Sequence, residues 1–162
     1  MSKKPTYEEL EQKISKSQAL FHAVIESAED SIFIKNHQLK YTLVNPAMER
    51  LFGLPASQLL GKSDEELFGD EAGAHIREID SCVLNGEIID EEDTKPVSGV
   101  PKTFHVIKVP LRDDSGKIIG LCGIARDVTK QKQTEVALKK AHDELEKLVK
   151  ERKVKKNINS LI

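Results

Sequence analysis

The sequence predicts an α+β fold, and three observations carry that prediction. Strand-like runs fall into two separate groups, residues 31–45 and 87–128. Between the groups lie short stretches rich in helix-start and helix-stop residues. Long segments with apolar residues at spacings of three and four stand at either end. Strands and helices grouped in this way pair antiparallel, with the helices gathered on one side.

The first helix opens at "PTYEEL", where Thr6 caps it and Glu9 returns the hydrogen bond, a capping box. Tyr7, Leu10, Ile14, Ser17, Phe21, Val24 and Ala28 follow as one stripe, weakened at its middle by the polar Ser17. "SIFIKNHQLKYTLVN" reads as two strands, Ser31 to Lys35 and Lys40 to Asn45, around a polar turn. Asn45 and Pro46 supply the N-cap and first residue of a short helix that ends at Gly53. "PASQLLG" adds one helical turn, and "SDEELFG" brings a second capping box, Ser63 with Glu66. A longer helix runs from about Asp70 to Leu84, with Ala72, Ile76, Ile79 and Val83 as its buried stripe and Asn85-Gly86 as a left-handed stop. Three strands follow, Glu87 to Pro96, Lys102 to Leu111 and Lys117 to Val128, the last two joined by the turn "RDDSGK".

From Thr129 the helical period returns, with Leu138, Ala141, Leu145 and Leu148 on one stripe. Glu135–Lys139, Asp143–Lys147 and Glu146–Lys150 are acid-first pairs one turn apart, each worth about 0.2–0.5 kcal/mol. The stripe breaks near Arg152, so "KVKKNINSLI" reads as frayed or as the start of a further segment.

The chain has 162 residues, 38% hydrophobic and 32% charged, enough for one domain plus extended helical material. Its net charge of −2 is uneven: residues 130–162 carry ten Lys/Arg against five Asp/Glu. Those basic residues alternate with acids at helical spacing, which reads as a solvated helix and not a nucleic-acid surface. The longest apolar run, Ile118 to Ala125, is far too short for a bilayer span, and the start lacks the apolar stretch of a secretory signal. Cys82 and Cys122 lack metal-type spacing and read as buried, reduced thiols, consistent with a cytoplasmic location.

Two blocks, "YTLVNPAMERLFGLPASQLLGKSDEELF" and "VPLRDDSGKIIGLCGIARDVT", in that order, resemble the PAS sensory domains of bacterial signalling proteins. Asp127-Val128-Thr129 is similar to the Asp-Ile-Thr signature that closes many of them. The resemblance covers about residues 20–130. It implies a five-stranded antiparallel sheet with short helices over one face, forming a ligand cleft. Around that PAS fold it implies an N-terminal amphipathic helix and a C-terminal coiled-coil helix. The implied boundaries are a helical extension over 1–20, the PAS domain over 21–129 and a signalling helix over 130–162. Candidate cleft residues are Ile34, Met48, Leu51, Phe52, Phe68, Ile76, Ile79, Phe104 and Leu121, with Asn45 as a structural cap. No charged residue stands out among them, so an apolar or weakly polar ligand is expected. Asp127 and Thr129 fall at the joint that passes the signal on.

Ile118 to Ile124 is apolar at both parities, whereas a strand with one wet face alternates. Both of its faces are therefore expected to be covered, one by the cleft and the other by the N-terminal helix or a partner subunit. No glycine or proline separates this strand from the helix that follows.

The five histidines, His22, His37, His75, His105 and His142, are scattered, and no nucleophile elbow, P-loop or dinucleotide motif occurs. The acidic runs "SDEELFGDE" and "EIIDEED" lack the ligand spacing of a calcium loop. These readings describe a non-catalytic regulatory module, part of a two-component or related signalling protein. It would take a small-molecule ligand or a partner in its cleft, dimerise through its flanking helices, and act on a downstream effector domain or protein. It would neither bind nucleic acid nor span a membrane. Two alternatives stand beside it. One is a dimerisation or protein-interaction module with a filled cleft. The other is a haem-based gas sensor, because His75 precedes Gly86 by the spacing of the haem ligand in some PAS oxygen sensors. No cofactor is assured otherwise.

Overall fold

A computed structural model describes residues 5–159, with side chains through residue 157. Helix α1, Tyr7–Ser27, begins at the Thr6–Glu9 capping box that the sequence predicts. Strands β1, Ser31–Asn36, and β2, Tyr41–Val44, form the first hairpin. Four helices follow: α2, Pro46–Phe52; α3, Ala56–Leu59; α4, Asp64–Phe68; and α5, Asp70–Leu84. Strands β3, Ile89–Val97, β4, Val100–Arg112, and β5, Ile118–Asp127, complete the sheet before helix α6, Thr129–Asn159. The sheet is wholly antiparallel, in the order β2-β1-β5-β4-β3. The last strand in the chain is thus the central one.

Strand parity decides which side chains meet the helices. Phe33 and Lys35 on β1, Phe104, Val106 and Lys108 on β4, and Leu121 and Gly123 on β5 are buried. Register places Phe33, Gly123 and Lys108 in one row across three strands. A side chain at position 123 would overlap the Phe33 ring, so the glycine makes room for that ring. Phe33, Tyr41, Met48, Leu59, Val83 and Leu121 form the main core cluster; Val97, Phe104 and Val106 form a second beside it.

Four sequence expectations change. The buried stripe of α5 is Gly73, Ile76, Asp80 and Val83, while Ala72 and Ile79 are only half-buried. Gly73 belongs to it because α5 crosses α4 there so closely that a Cβ would fall on the Glu65 backbone. Of the two covers expected for the opposite face of β5, α1 does not bury it among the described residues: Ile124 is 43% and Ile107, its neighbour on β4, 39% exposed. Helix α1 has no buried residue. Cys82 and Cys122 are free but only half-buried, and burial pushes the Cys122 thiol up. Finally, α6 continues past Arg152 to Asn159; residues 160–162 lie outside the described part.

The chain divides into two compact units, the first ending at Asp127 and the second beginning at Val128. Among the described residues, no helix is long and apolar enough to cross a membrane.

Candidate functional site

Between the sheet and helices α2, α4 and α5 lies a small interior cavity with about 40 Å³ of free volume for a water-sized sphere. Strand alternation and helical period supply its walls. Phe33 from β1, Phe104 and Val106 from β4, and Ala125 from β5 face it from the sheet. Met48, Leu51 and Phe52 from α2, Phe68 from α4 and Ile76 from α5 close it from the helices. The Phe52 and Phe68 rings meet edge to face at 5.2 Å. Polar groups also reach it: Ser31, Lys35, Tyr41, Asp64, Lys95 and Lys108.

Lys35, Tyr41, Asp64 and Lys108 form one connected network with Asp80. Lys35 Nζ donates to Asp64 Oδ2 at 2.5 Å and to Asp80 Oδ2 at 2.6 Å. Lys108 Nζ donates to Asp80 Oδ1, and the Tyr41 hydroxyl donates to Asp64 Oδ1 at 2.8 Å. Lys35 is 1%, Asp64 2%, Asp80 0% and Lys108 2% exposed. Isolated charges so deep would cost several kcal/mol each, and mutual pairing offsets that cost. Lys35 Nζ also lies 4.6 Å from the Tyr41 ring centroid, a cation–π contact. Burial, with the Asp64 carboxylate adding to it, pushes the Tyr41 hydroxyl well above its ordinary range, which keeps it a donor. Burial lowers Lys108, and the charges of Lys35 and Lys95 act in the same direction against the opposing pull of Asp80. Lys95 is 8% exposed, pairs with Asp93 Oδ2 at 3.2 Å and sits 5.6 Å from the Phe68 ring centroid.

Of the cleft residues the sequence nominates, Met48, Leu51, Phe52, Phe68, Ile76 and Phe104 line this cavity. Ile34, Ile79 and Leu121 do not. Ile34 has the outward parity of β1, Ile79 is half-buried beside the stripe of α5, and Leu121 is wholly buried in the main core cluster. The nominated residues include no charged one, whereas the wall also carries Lys35, Asp64, Lys95 and Lys108, with Asp80 paired to two of them; sequence reasoning missed all five. A signal for them existed. Lys35 shares the parity of Ser31 and Phe33, Lys108 that of Phe104 and Val106, and Asp80 stands one helical turn from Ile76 and Val83. A charge in phase with an apolar stripe marks a buried pair or a site.

Haem does not fit here. His75 is exposed and absent from the cavity wall, bordering instead an open surface depression with Phe68, Asp70 and Thr94. The free volume would hold roughly three waters, far less than a macrocycle. Among the described residues no cluster of three or more His, Cys, Asp or Glu could hold a metal ion.

Asn45 is wholly buried and ties four segments together. Its Oδ1 accepts from Ile32 N at 2.9 Å and from Met48 N at 3.2 Å, capping α2. Its Nδ2 donates to the carbonyls of Asp30 at 2.9 Å and Ile25 at 3.3 Å. At the far end of β5, Arg126 forms a two-pronged pair with Asp30, and Asp127 Oδ2 accepts from Lys102 at 2.9 Å. Thr129 is the first residue of α6, which leaves the cap position to Val128.

Comparison with known proteins gives a consistent result. The family described as "PAS fold" matches residues 25–133. The methanogenesis regulatory histidine kinase FilI of Methanothrix harundinacea (strain 6Ac) is 48% identical over 134 residues, which make 82% of this chain and 15% of that kinase. The aerobic respiration control sensor protein ArcB of Escherichia coli (strain K12) is 30% identical over 125 residues, 76% of this chain and 16% of that protein. This chain therefore matches only a small part of each relative. Among solved structures, the PAS domain of a Colwellia psychrerythraea protein superposes with a TM-score of 0.62 at 22% identity, covering 72% of this chain and 98% of that one.

Proposed function

Because this chain belongs to the PAS fold family, we propose that it is the sensory module of a longer two-component or related signalling protein. In this reading a small molecule enters the interior cavity and biases the sheet between two states. The bias leaves through β5 into α6, with Asp127 and Thr129 at the joint. The carrying observation is chain continuity: central strand β5 borders the cavity at Ala125, ends at Asp127, and α6 starts at Thr129. The functional division is residues 1–20 as extension, 21–129 as sensor and 130–162 as signalling helix.

The module works as a homodimer. A single amphipathic helix is marginal alone in water. On α6, Leu138 is 70%, Leu145 62% and Leu148 58% exposed, and on α1 Ile14 and Val24 are each 58% exposed. A second copy of each helix is the simplest cover for such a stripe. An alternative, a dimerisation module whose cavity stays filled by its own side chains, is favoured by the small free volume.

A thermal-shift screen of metabolites, run beside sedimentation velocity, separates the two. A sensor shows self-association together with ligand-dependent shifts. Self-association with no shift from any metabolite points to the interaction module, and a monomer at all concentrations removes both.

A further inference from the structure

The chemistry of the cavity wall narrows what can bind there, given the ligand-sensing reading above on which this inference rests. Each carboxylate oxygen of the network already accepts a hydrogen bond. Asp64 takes Tyr41 and Lys35; Asp80 takes Lys108 and Lys35. A ligand that presents N–H donors therefore meets on the wall only Asp64, both of whose oxygens are already engaged. Donors predominate on the wall instead. The Lys108 ammonium carries three N–H bonds and has one acceptor, Asp80, among the described residues. Lys95 shares the wall, and its carboxylate partner Asp93 is half-buried and does not line the cavity.

The charges agree with the donors. The wall itself carries three ammonium groups, Lys35, Lys95 and Lys108, and one carboxylate, Asp64, while the partner carboxylates Asp80 and Asp93 stand outside the lining. An anion beside Lys108 would offset the repulsion it receives from Lys35 and Lys95. The remaining walls, Met48, Phe52, Phe68, Ile76 and Phe104, are apolar and have nothing to offer a second charge. Size sets the last limit, since about 40 Å³ accommodates only a few heavy atoms without repacking.

We infer that the cavity binds a short-chain monocarboxylate of about two to four carbons, its carboxylate on Lys108 and Lys95 and its alkyl end against Phe52, Phe68 and Phe104. A dicarboxylate would bury its second charge against the aromatic wall without a partner. A neutral amide or alcohol of the same shape would forgo the charge-assisted hydrogen bonds.

Isothermal titration calorimetry on the whole chain at neutral pH tests this, with acetate, propionate and butyrate set against propionamide and 1-propanol. The monocarboxylates are expected to bind, with the neutral isosteres weaker by about tenfold or more. Lys108→Met leaves Asp80 paired with Lys35 and is expected to lose about tenfold or more in propionate affinity. Lys95→Met provides a second variant should the first not fold, and it is expected to shift propionate affinity in the same direction. Equal binding of propionate and propionamide, unchanged in folded Lys108→Met or Lys95→Met, overturns the carboxylate assignment and leaves the sensing reading standing. No binding of any of the five, with an adduct of other chemistry in native mass spectrometry of the purified chain, likewise overturns the carboxylate assignment alone. No binding and no adduct overturns both.

Discussion

Lys35 on β1 and Asp80 on α5, 45 positions apart in the chain, meet at 2.6 Å between Nζ and Oδ2 with almost no solvent access to either. The pair fastens the long helix to the inner face of the sheet. Asp80 also accepts from Lys108, so one carboxylate serves two ammonium groups from two different strands. Removing its charge leaves Lys108 without a carboxylate and Lys35 with Asp64 alone. Asp80→Asn is therefore expected to lower stability by about 3–5 kcal/mol, read as a drop in the urea midpoint at unchanged slope. A loss under about 1 kcal/mol would show that water or rearrangement relieves the two lysines.

Asn45→Ala removes a side chain that serves four backbone groups at once. The lost cap and the stranded Ile32 N–H together are expected to cost about 2–4 kcal/mol. Asn45→Asp separates the two halves of the role, because it keeps the acceptor for Ile32 and Met48 and loses the donor to Asp30 and Ile25. It should fall between wild type and Asn45→Ala in thermal denaturation.

Glu66 closes the second capping box, accepting from Ser63 N at 2.8 Å, with Lys62 and Lys40 beside it. The Ser63 backbone bond, followed by the two lysines, lowers its pKa from 4.5 to about 2. A carboxylate lowered in the folded state stabilises it above the unfolded value and loses that contribution as pH falls through the folded one. Wild type should therefore lose stability between pH 4.5 and about 2, and Glu66→Gln should flatten that part of the profile while lowering stability at neutral pH. Parallel curves for the two proteins would remove Glu66 from the acid limb.

The exposed stripe of α6 predicts a concentration-dependent dimer. Leu138→Ser with Leu145→Ser is expected to shift sedimentation toward monomer and to reduce helicity, because α6 unpartnered is marginal in water. The unit ending at Asp127 should keep its near-ultraviolet signature, since its core clusters lie wholly within it. Unchanged sedimentation would assign self-association elsewhere.

Much of the fold was legible because its signals are local. Both capping boxes, the Asn45-Pro46 start of α2, the Asn85-Gly86 stop of α5 and the unbroken passage from β5 into α6 each depend on a few neighbouring residues. Much of the apolar half of the cavity wall was nominated through the family resemblance, Met48, Leu51, Phe52, Phe68 and Phe104 among them, and only Ile76 was also read from helical period. The charged half was not. Lys35, Asp64, Asp80 and Lys108 are each unremarkable alone, and a charge read alone is assigned to water.

By itself, the sequence determined the order and type of the elements and the caps of α1, α2 and α4. Only the tertiary structure decided that two lysines and two aspartates, from two strands and two helices, share one buried point. The physical reason is that burying a charge is unfavourable until its partner arrives, and these partners arrive from 28 to 45 positions away. Local propensity ends where that pairing begins.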